Sequence, residues 1–435
     1  MGKPLVAIVG RQNVGKSTLL NRLARRRVAI TDDTPGTTRD RVIADVDWNG
    51  REFTLVDTGG MEPSPEPGIA RAVQDQVQMA IGEADQIIFL VSAPDGVTPF
   101  DREIADMLRR TRKPVLLVAN KADNAALEGH AVEFYELGLG DPIPVSAHHG
   151  RGTGELLDQI VSRLPPVEPE TGPAVPKVAV VGRPGVGKSM ILNAILGEQR
   201  VIVGATPGTT RDAVDTPIDF QGQVVILIDT AGIRRRGRAA SGIERHSVLR
   251  SLRAIDRADI ALLVLDATEP FTMQDKHIGG YVQQALKGLA IIVNKWDLVE
   301  DKEEVEWSRE VRRQFKFVPY APVLFTSATT GMGIDKVMPQ VLGIYQARMR
   351  RLPTAAVNSV VQEALAAQPV PPVGAKRVKI KYATQAEVNP PTFVFFANDT
   401  RVHFSYRRYL ENRLRRAFDF AGTPLRLVFK AGGDA

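Results

Sequence analysis

The chain has 435 residues, of which 43% are hydrophobic and 24% are charged, a composition typical of a soluble globular protein of about three domains. It has no cysteine, which excludes disulfide bonds and thiolate metal sites. No uninterrupted apolar stretch reaches about 20 residues, and the N-terminus lacks a signal-peptide pattern. We therefore expect a cytoplasmic protein that does not enter a membrane.

The net charge of +6 is distributed unevenly. From Tyr345 to Ala435 there are 15 lysines and arginines against 6 acidic residues, a balance of +9, so the preceding chain carries about −3. A basic region of this kind favours a polyanionic partner such as RNA, although it can also be an ordinary solvated face.

An internal repeat determines the predicted domain organisation. Near the start of each copy, the matched segments are 172 residues apart. Toward the end of each copy they are 174 residues apart, as loop insertions would produce. One duplicated domain explains this pattern. The matched pairs are 5–17 with 178–189, 37–40 with 209–212, 57–60 with 229–232, and 120–121 with 294–295.

Within each copy, short apolar runs alternate with longer amphipathic ones. Continuous apolar strands separated by helices indicate an α/β fold, a mostly parallel sheet with helices on both faces, and ligands bind beyond the carboxyl ends of such strands. A proline-rich segment between the copies predicts an extended linker. The predicted domains are 1–164, a linker over 165–176, 177–350, and a basic domain over 351–435, and the predicted strands of the two copies are 53–56, 87–91, 115–118, 224–228, 261–265 and 290–293.

Each copy has a phosphate-binding loop between a strand and a helix. Its glycines let backbone N–H groups turn toward the β-phosphate of a nucleotide. The lysine is expected to bridge the β- and γ-phosphates, and the serine hydroxyl to bind Mg²⁺. The predicted loop residues are Gly10, Arg11, Gln12, Asn13, Val14, Gly15, Lys16, Ser17 and Thr18, and Gly182, Arg183, Pro184, Gly185, Val186, Gly187, Lys188, Ser189 and Met190.

A second motif predicts guanine as the base. The carboxylate of Asp123 or Asp297 can accept two hydrogen bonds from guanine N1 and N2, a donor pair that adenine lacks. A backbone N–H near the following Ser-Ala pair can meet guanine O6. The remaining base-pocket residues are Asn120, Lys121, Ser146 and Ala147 in the first copy, and Asn294, Lys295, Ser327 and Ala328 in the second.

Two further elements are predicted to sense the γ-phosphate. Asp57 and Asp229 should hold Mg²⁺ through water, and a glycine three residues later offers its N–H to the γ-phosphate. Thr38 and Thr210 lie in loops that can order around Mg²⁺ and the γ-phosphate and relax after hydrolysis. The remaining residues of these motifs are Thr58, Gly59, Gly60, Thr230, Ala231 and Gly232, and the predicted catalytic set is Lys16, Thr38, Gly60, Lys188, Thr210 and Gly232.

The residue that follows Gly60 and Gly232 predicts slow hydrolysis of GTP. Many related GTPases have a glutamine there that orients the attacking water. This chain has Met61 and Ile233, which cannot do so. We expect a slow intrinsic rate, or help from an ion or a partner.

The whole set of motifs resembles the bacterial double-Era-like GTPases, the Der (EngA) family, over nearly the entire chain. The resemblance rests on the paired motifs, the run 229–237 and the C-terminal sequence. It implies a KH-like third domain, GTP-controlled assembly of the large ribosomal subunit with its rRNA as partner, and activity promoted by K⁺. In this family a loop asparagine is thought to help coordinate K⁺. That implies K⁺ at Asn13, whereas Gly185 in the second copy offers no side-chain oxygen.

The basic domain is predicted to be a small α+β unit in a monomeric protein. Core packing explains its aromatic residues better than base stacking. Because no Gly-x-x-Gly occurs there, we expect its basic strand and helix, rather than a KH nucleotide clamp, to meet rRNA phosphates or a partner protein. The predictions are strands at 377–382, 392–396 and 424–429, and a helix capped by Ser405 that buries Tyr406, Leu410, Leu414, Ala417 and Phe418 and places Arg408 and Arg415 on another face.

Two other functions stay open. One is a subunit of an RNA-modification complex that uses GTP as a trigger, although the sequence has no redox motif or metal cluster. The other is a membrane-associated signalling GTPase, which lacks an anchor or a lipidation cysteine here. The arginines at 234–236 and 238 are candidates for an RNA or inter-domain contact.

Overall fold

The computed structural model describes residues 3–24, 43–60, 77–78, 80–165, 175–198, 200–201, 215–230, 247–300, 303–372 and 378–431. Contacts divide the chain into two units, Met1–Glu170 with Gly242–Arg253 and Thr171–Ser241 with Ala254–Ala435. Several predicted features lie outside the described residues: Thr38, Met61, Thr210, Ala231, Gly232, Ile233, the arginines at 234–236 and 238, and most of the linker.

The first unit is built on a six-stranded sheet in the order β2-β3-β1-β4-β5-β6. Only the β2–β3 pair is antiparallel. Alternate side chains of β1 enter two buried clusters, one on each face of the sheet. The elements are β1 Leu5–Val9, α1 Lys16–Ala24, β2 Ile43–Trp48, β3 Arg51–Asp57, β4 Gln86–Ser92, α2 Pro99–Arg109, β5 Val115–Asn120, α3 Ala125–Gly129, β6 Ile143–Pro144 and α4 Thr153–Arg163.

The second copy repeats this arrangement. Its seven-stranded sheet has the order β13-β12-β11-β7-β10-β9-β8, which is the order of the first sheet with one additional edge strand. The duplicated, mostly parallel α/β architecture predicted from the sequence is confirmed. The elements are β7 Lys177–Val181, α5 Lys188–Glu198, β8 Arg200–Val201, β9 Thr216–Phe220, β10 Gln223–Ile228, α6 Ser247–Arg257, β11 Ile260–Asp266, α7 Met273–Gln284, β12 Gly288–Asn294, α8 Glu304–Gln314, β13 Val323–Phe325 and α9 Val337–Met349.

The C-terminal domain is a three-stranded sheet, β14-β15-β16, with two helices packed on one face. Strand β15 is antiparallel to β14 and parallel to β16. No helix among the described residues is long and apolar enough to cross a bilayer. The elements are α10 Thr354–Ala367, β14 Ile380–Glu387, β15 Thr392–Ala397, α11 Phe404–Phe418 and β16 Arg426–Ala431.

Three details of this domain differ from the sequence predictions. Strand β14 begins later and continues further than predicted. Helix α11 is capped by His403, whose ring accepts a hydrogen bond from the Ser405 N–H at 3.3 Å, so Ser405 already lies inside the helix. Ala417 is exposed, because the core-facing positions of α11 are Tyr406, Leu410 and Leu414.

The C-terminal domain is joined to the second GTPase sheet by buried polar contacts. Arg348, near the end of α9, is only 1% exposed, and burial lowers its pKa to about 10, so it stays charged at neutral pH. Its guanidinium donates to Asn389 Oδ1 at 2.9 and 2.5 Å and to Thr423 Oγ1 at 3.0 Å. Leu289 at the start of β12 also donates its N–H to the Gly422 carbonyl at 2.7 Å. Second-sheet elements and C-terminal residues therefore share one hydrogen-bond network.

Arg415 belongs to this network, so it is engaged inside the domain, although the basic helix as a whole is expected to meet rRNA phosphates or a partner protein. Its guanidinium lies over the Tyr320 ring, 4.5 Å from the centroid, and donates to the carbonyls of Phe420 and Thr423 at 2.9 and 2.8 Å. A cation held between an aromatic ring and backbone carbonyls has few donors left for an external phosphate. Arg408, in contrast, is exposed.

Gly422 is the tightest point of this junction. Its φ is +69°, and a Cβ there would lie 2.3 Å from Cγ1 of Ile344. We expect Gly422→Ala to destabilise the protein by roughly 2–5 kcal/mol, combining a left-handed backbone with overpacking. Calorimetric melting of the full chain measures this change.

Gly331 provides the matched control, because its φ is +81° but nothing lies within 4 Å of its added Cβ. Gly331→Ala should cost only the backbone part, roughly 1–2 kcal/mol. Equal losses in the two variants would contradict the close contact at Gly422.

Candidate nucleotide-binding sites

The predicted nucleotide motifs meet at the carboxyl edge of each sheet. In the first sheet the central strand β1 lies between β3 and β4. The chain runs from β1 to β2 and β3 on one side of it and then crosses to β4 on the other side. Ligands of such sheets bind in the crevice beyond the end of the central strand. The phosphate loop follows β1, Asp57 ends β3, and Asn120 ends β5. The second sheet brings the equivalent loops together after β7, β10 and β12.

The glycines of the phosphate loops are required by close contacts. Gly15 has a φ of +95°, and a Cβ there would lie 2.5 Å from the Asn120 side-chain nitrogen. Gly187 has a φ of +93°, and its added Cβ would lie 2.3 Å from the matching nitrogen of Asn294. A side chain at either position would push the phosphate loop away from the guanine motif.

An asparagine amide ties three loops together in each domain. Asn120 donates to the Val14 carbonyl at 2.7 Å and accepts from the Ala147 N–H at 3.0 Å. Asn294 makes the same two bonds, to Val186 at 2.9 Å and from Ala328 at 3.1 Å. The phosphate loop, the guanine motif and the Ser-Ala loop are thereby held in one arrangement.

The loop lysines are anchored to their own loops. Lys16 Nζ donates to the carbonyls of Gly10 and Arg11 at 2.8 and 2.9 Å, and Lys188 makes the matching bonds at 2.8 and 2.6 Å. Burial lowers the pKa of Lys16, while the carboxylate of Asp57 acts in the opposite direction. The ammonium is thus positioned at the mouth of the loop, where the phosphates are predicted to bind.

The first domain brings two of its three predicted Mg²⁺ ligands, Ser17 and Asp57, together. Ser17 Oγ donates to Asp57 Oδ2 at 2.5 Å, so a hydroxyl and a carboxylate oxygen converge beside the phosphate loop. Mg²⁺ prefers such oxygen ligands and usually keeps several waters. This donor pair fits the predicted metal, which would offset the charge of the bound phosphates.

The second domain holds its corresponding aspartate differently. Strand β10 ends at Ile228, and Asp229 has a φ of +58°. Its N–H donates to Asp215 Oδ1 at 3.1 Å, and Asp215 is also paired with Arg257. The main chain at Asp229 therefore leaves the strand, and the Ser189–Asp229 pair does not reproduce the geometry of Ser17 and Asp57.

The guanine motifs also differ between the copies. In the first, Ser146 Oγ donates to Asp123 Oδ1 at 2.5 Å, which orients the carboxylate predicted to read the base. Both serine hydroxyls accept from the N–H three residues later, Ser146 from His149 at 3.1 Å and Ser327 from Thr330 at 3.2 Å, so the difference is the bond from Ser146 to Asp123. The side chain of Lys295 donates to Asp266 Oδ2 at 2.5 Å, and the first copy has Ser92 at the position of Asp266.

Sequence reasoning missed the partners of the loop arginines. Arg11 is paired with Asp95 and approaches Asp101 at 3.8 Å. Arg183 is paired with Glu269 at 2.7 Å and approaches Asp275 at 3.6 Å. The hydrogen bond from Arg11 lowers the pKa of Asp95. These guanidinium groups hold the start of each loop, which leaves nucleotide contact to the loop backbone.

A sequence signal for these partners existed. Asp101 and Asp275 are capping-box residues of α2 and α7, and they are separated by 174 positions, as are their caps Thr98 and Thr272. Extending the repeat beyond the nucleotide motifs would therefore have found them.

Comparison with known proteins gives matches over the whole length. The family described as "50S ribosome-binding GTPase" matches residues 5–121 and 177–295, and "KH-domain-like of EngA bacterial GTPase enzymes, C-terminal" matches 351–430. The family described as "Elongation factor Tu GTP binding domain" matches 244–347.

Curated relatives match from end to end. GTPase Der of Thermomicrobium roseum is 54% identical, with 99% of this chain and 96% of the relative covered. GTPase Der of Moorella thermoacetica is 54% identical with both chains fully covered, and that of Clostridium acetobutylicum is 47% identical with 99% of each covered. A solved structure of Aquifex aeolicus Era bound to GDP and aluminium fluoride is 23% identical over 73% of this chain and 99% of that one, with a TM-score of 0.32.

The duplicated sheets and their loops define a P-loop GTPase with two nucleotide sites, which binds and hydrolyses GTP. The chain belongs to the GTPase Der (EngA) family. This membership confirms the predicted family and the KH-like third domain. It also favours a ribosome-binding GTPase over a subunit of an RNA-modification complex.

The guanine motifs generate a test of base selectivity. Asp123→Asn and Asp297→Asn should each weaken GTP binding at the altered site by roughly tenfold or more, because a charge-assisted hydrogen-bond acceptor is lost. A xanthine nucleotide should restore binding, and titration calorimetry measures both affinities. Unchanged GTP affinity in both variants would refute the assignment of these carboxylates to guanine.

Proposed function

We propose that the chain is a GTP-driven assembly factor of the large ribosomal subunit, acting as a monomer in the cytoplasm. In this proposal the nucleotide states of both sites control domain rearrangement, and thereby association with the subunit and its rRNA. Mg²⁺ acts at both sites, through Ser17, Thr38 and Asp57 in the first and Ser189, Thr210 and Asp229 in the second. The relatives named GTPase Der and the 50S ribosome-binding family support this function.

The observation that carries the proposal is a GTPase domain joined to a basic domain. The network around Arg348 connects the second GTPase sheet to the C-terminal domain, which carries the net excess of positive charge. Co-sedimentation with purified ribosomal subunits tests it. Binding to the large subunit should be stronger with a non-hydrolysable GTP analogue than with GDP, and equal binding in both nucleotides would contradict GTP control.

The two phosphate loops predict different responses to K⁺. Asn13 and Gly185 occupy equivalent positions, with φ of +63° and +81°, so the backbone there is left-handed in both copies. Asparagine and glycine both tolerate this conformation, but only asparagine supplies a side-chain oxygen. We propose that K⁺ binds at Asn13, where it offsets charge developing during hydrolysis, and that the second site has lost much of this response.

Single-site variants test this difference. Lys188→Ala isolates the first site and Lys16→Ala the second, and we expect hydrolysis at the first site alone to be markedly faster in KCl than in NaCl. Gly185→Asn should restore part of the response at the second site, because nothing lies within 4 Å of an added Cβ there. Nucleotide affinity is measured alongside as a control. Equal stimulation of both sites would show that backbone carbonyls and water replace the missing ligand.

The basic domain predicts salt-dependent binding to ribosomal particles. Deleting the domain would expose the buried surface around Arg348, so point variants are the better test. Arg408 and Arg416 are exposed on α11, and their joint replacement by alanine should reduce the salt slope of particle binding by about two. The matched variant Arg110→Ala with Arg112→Ala, exposed in the first domain, should leave the slope unchanged. If the α11 variant keeps the salt dependence of the unaltered protein, the electrostatic attraction to the particles comes from other residues.

A further inference from the structure

One face of the C-terminal sheet is left uncovered by its helices. Phe393, Phe395 and Ala397 of β15 point into the core shared with α10 and α11. Because side chains alternate along a strand, Val394 and Phe396 project from the opposite face. Their cross-strand neighbours lie on that face as well, and it is called the outer sheet face below. Its members are Tyr382, Thr392, Val394, Phe396, Arg426, Val428 and Lys430, of which Thr392 and Val394 are buried and Tyr382, Arg426 and Lys430 are exposed.

Two aromatic rings stack on the outer sheet face. Tyr382 lies opposite Phe396, with ring centroids 4.4 Å apart and planes inclined by 13°. Tyr382 is 45% exposed, although it is a large aromatic residue. Strand β14 is the edge of the described three-stranded sheet, so the tyrosine is the outer member of the stack. Core packing accounts for most aromatic residues of the domain, as expected, and Tyr382 is an exception.

Basic side chains flank this stack. Lys430 lies opposite Phe396, and Arg426 lies opposite Thr392 on the same strand pair. Both are exposed, and neither forms an ion pair within the described part of the chain. Lys379, just before β14, is exposed too. The acid nearest in register is Glu387, at the far end of β14 opposite Thr392.

We infer that the outer sheet face binds single-stranded RNA, with one base stacked on Tyr382 and the adjoining phosphates near Lys430 and Arg426. Exposed aromatic rings on a sheet are stacking platforms for unpaired bases, and nearby cations attract the backbone between them. The domain lacks Gly-x-x-Gly, so this face supplies a contact that the usual KH loop does not. The inference rests on the proposed ribosomal function and names the RNA element it recognises, an unpaired strand.

The lysine on the outer sheet face argues against a protein as its partner. An apolar protein interface is depleted of lysine, whereas Lys430 is the direct neighbour of Phe396 on this face. A purely structural cross-strand pair would stabilise the sheet without needing an exposed ring or cations beside it. Parallel rings with adjacent unpaired cations match the requirements of a base and its phosphate.

The test uses the full-length protein and a fluorescein-labelled single-stranded decauridine RNA, with affinity measured by anisotropy. Tyr382→Ala should weaken binding by about tenfold, the usual effect of removing one stacking ring. Tyr382→Phe keeps the ring and should stay within about twofold of the unaltered protein. Tyr382→Leu keeps the apolar contact with Phe396 and hence the fold, but should bind as weakly as the alanine variant. Tyr135→Ala, an equally exposed tyrosine of the first domain, should change nothing.

A second readout separates stacking from other contacts. An oligonucleotide with one 2-aminopurine should lose fluorescence on binding the unaltered protein and retain it with Tyr382→Leu. Wild-type affinity in the leucine variant would indicate apolar docking and overturn the inference, as would unchanged affinity in the alanine variant. Co-sedimentation with ribosomal subunits is run in parallel. If the unaltered protein co-sediments equally with GTP and GDP, the proposed function is refuted. If Tyr382→Ala leaves RNA binding unaltered, only the stacking site is refuted.

Discussion

The contact between a glycine and an asparagine amide is the constraint on which each nucleotide site depends. Gly15 can approach Asn120 only because it has no side chain, and the amide then bonds the Val14 carbonyl and the Ala147 N–H. Three loops from three strands become one rigid surface. The same arrangement around Asn294 shows that this contact is a property of the fold, repeated with the domain.

On this common framework the two copies differ in the charged groups around it. The first brings Ser17 to Asp57, whereas in the second the backbone N–H of Asp229 donates to Asp215, and Lys295 is paired with Asp266. The strand order and the loop arginines are nevertheless the same. Among the described residues, the two copies therefore share the contacts that position the loops and differ in the groups predicted to meet the metal ion and the base. Two sites of unequal chemistry on one chain can respond to different conditions.

Sequence patterns predicted the sheets, their strands and the nucleotide loops because these features are local. Apolar runs identify strands, and loop motifs have fixed spacing. Long-range pairs such as Arg11 with Asp95 were missed, because nothing local distinguishes them from solvated charges. The contacts of Arg415 and the exposure of Tyr382 could not be predicted for the same reason. Helical or strand periodicity assigns a face to a residue, but only the packed neighbours decide whether that face is buried.

The junction around Arg348 has a consequence for how such proteins can be recombined. Arg348 belongs by sequence to the last helix of the second GTPase fold and donates there to the Leu286 carbonyl, yet its other acceptors, Asn389 and Thr423, belong to the C-terminal domain. A chimera cut between these domains would pair a buried guanidinium from one parent with acceptors from another. An unmatched buried cation costs several kcal/mol. The second GTPase domain and the basic domain should therefore be exchanged together, whereas no residue described in the first GTPase domain hydrogen-bonds to Arg348.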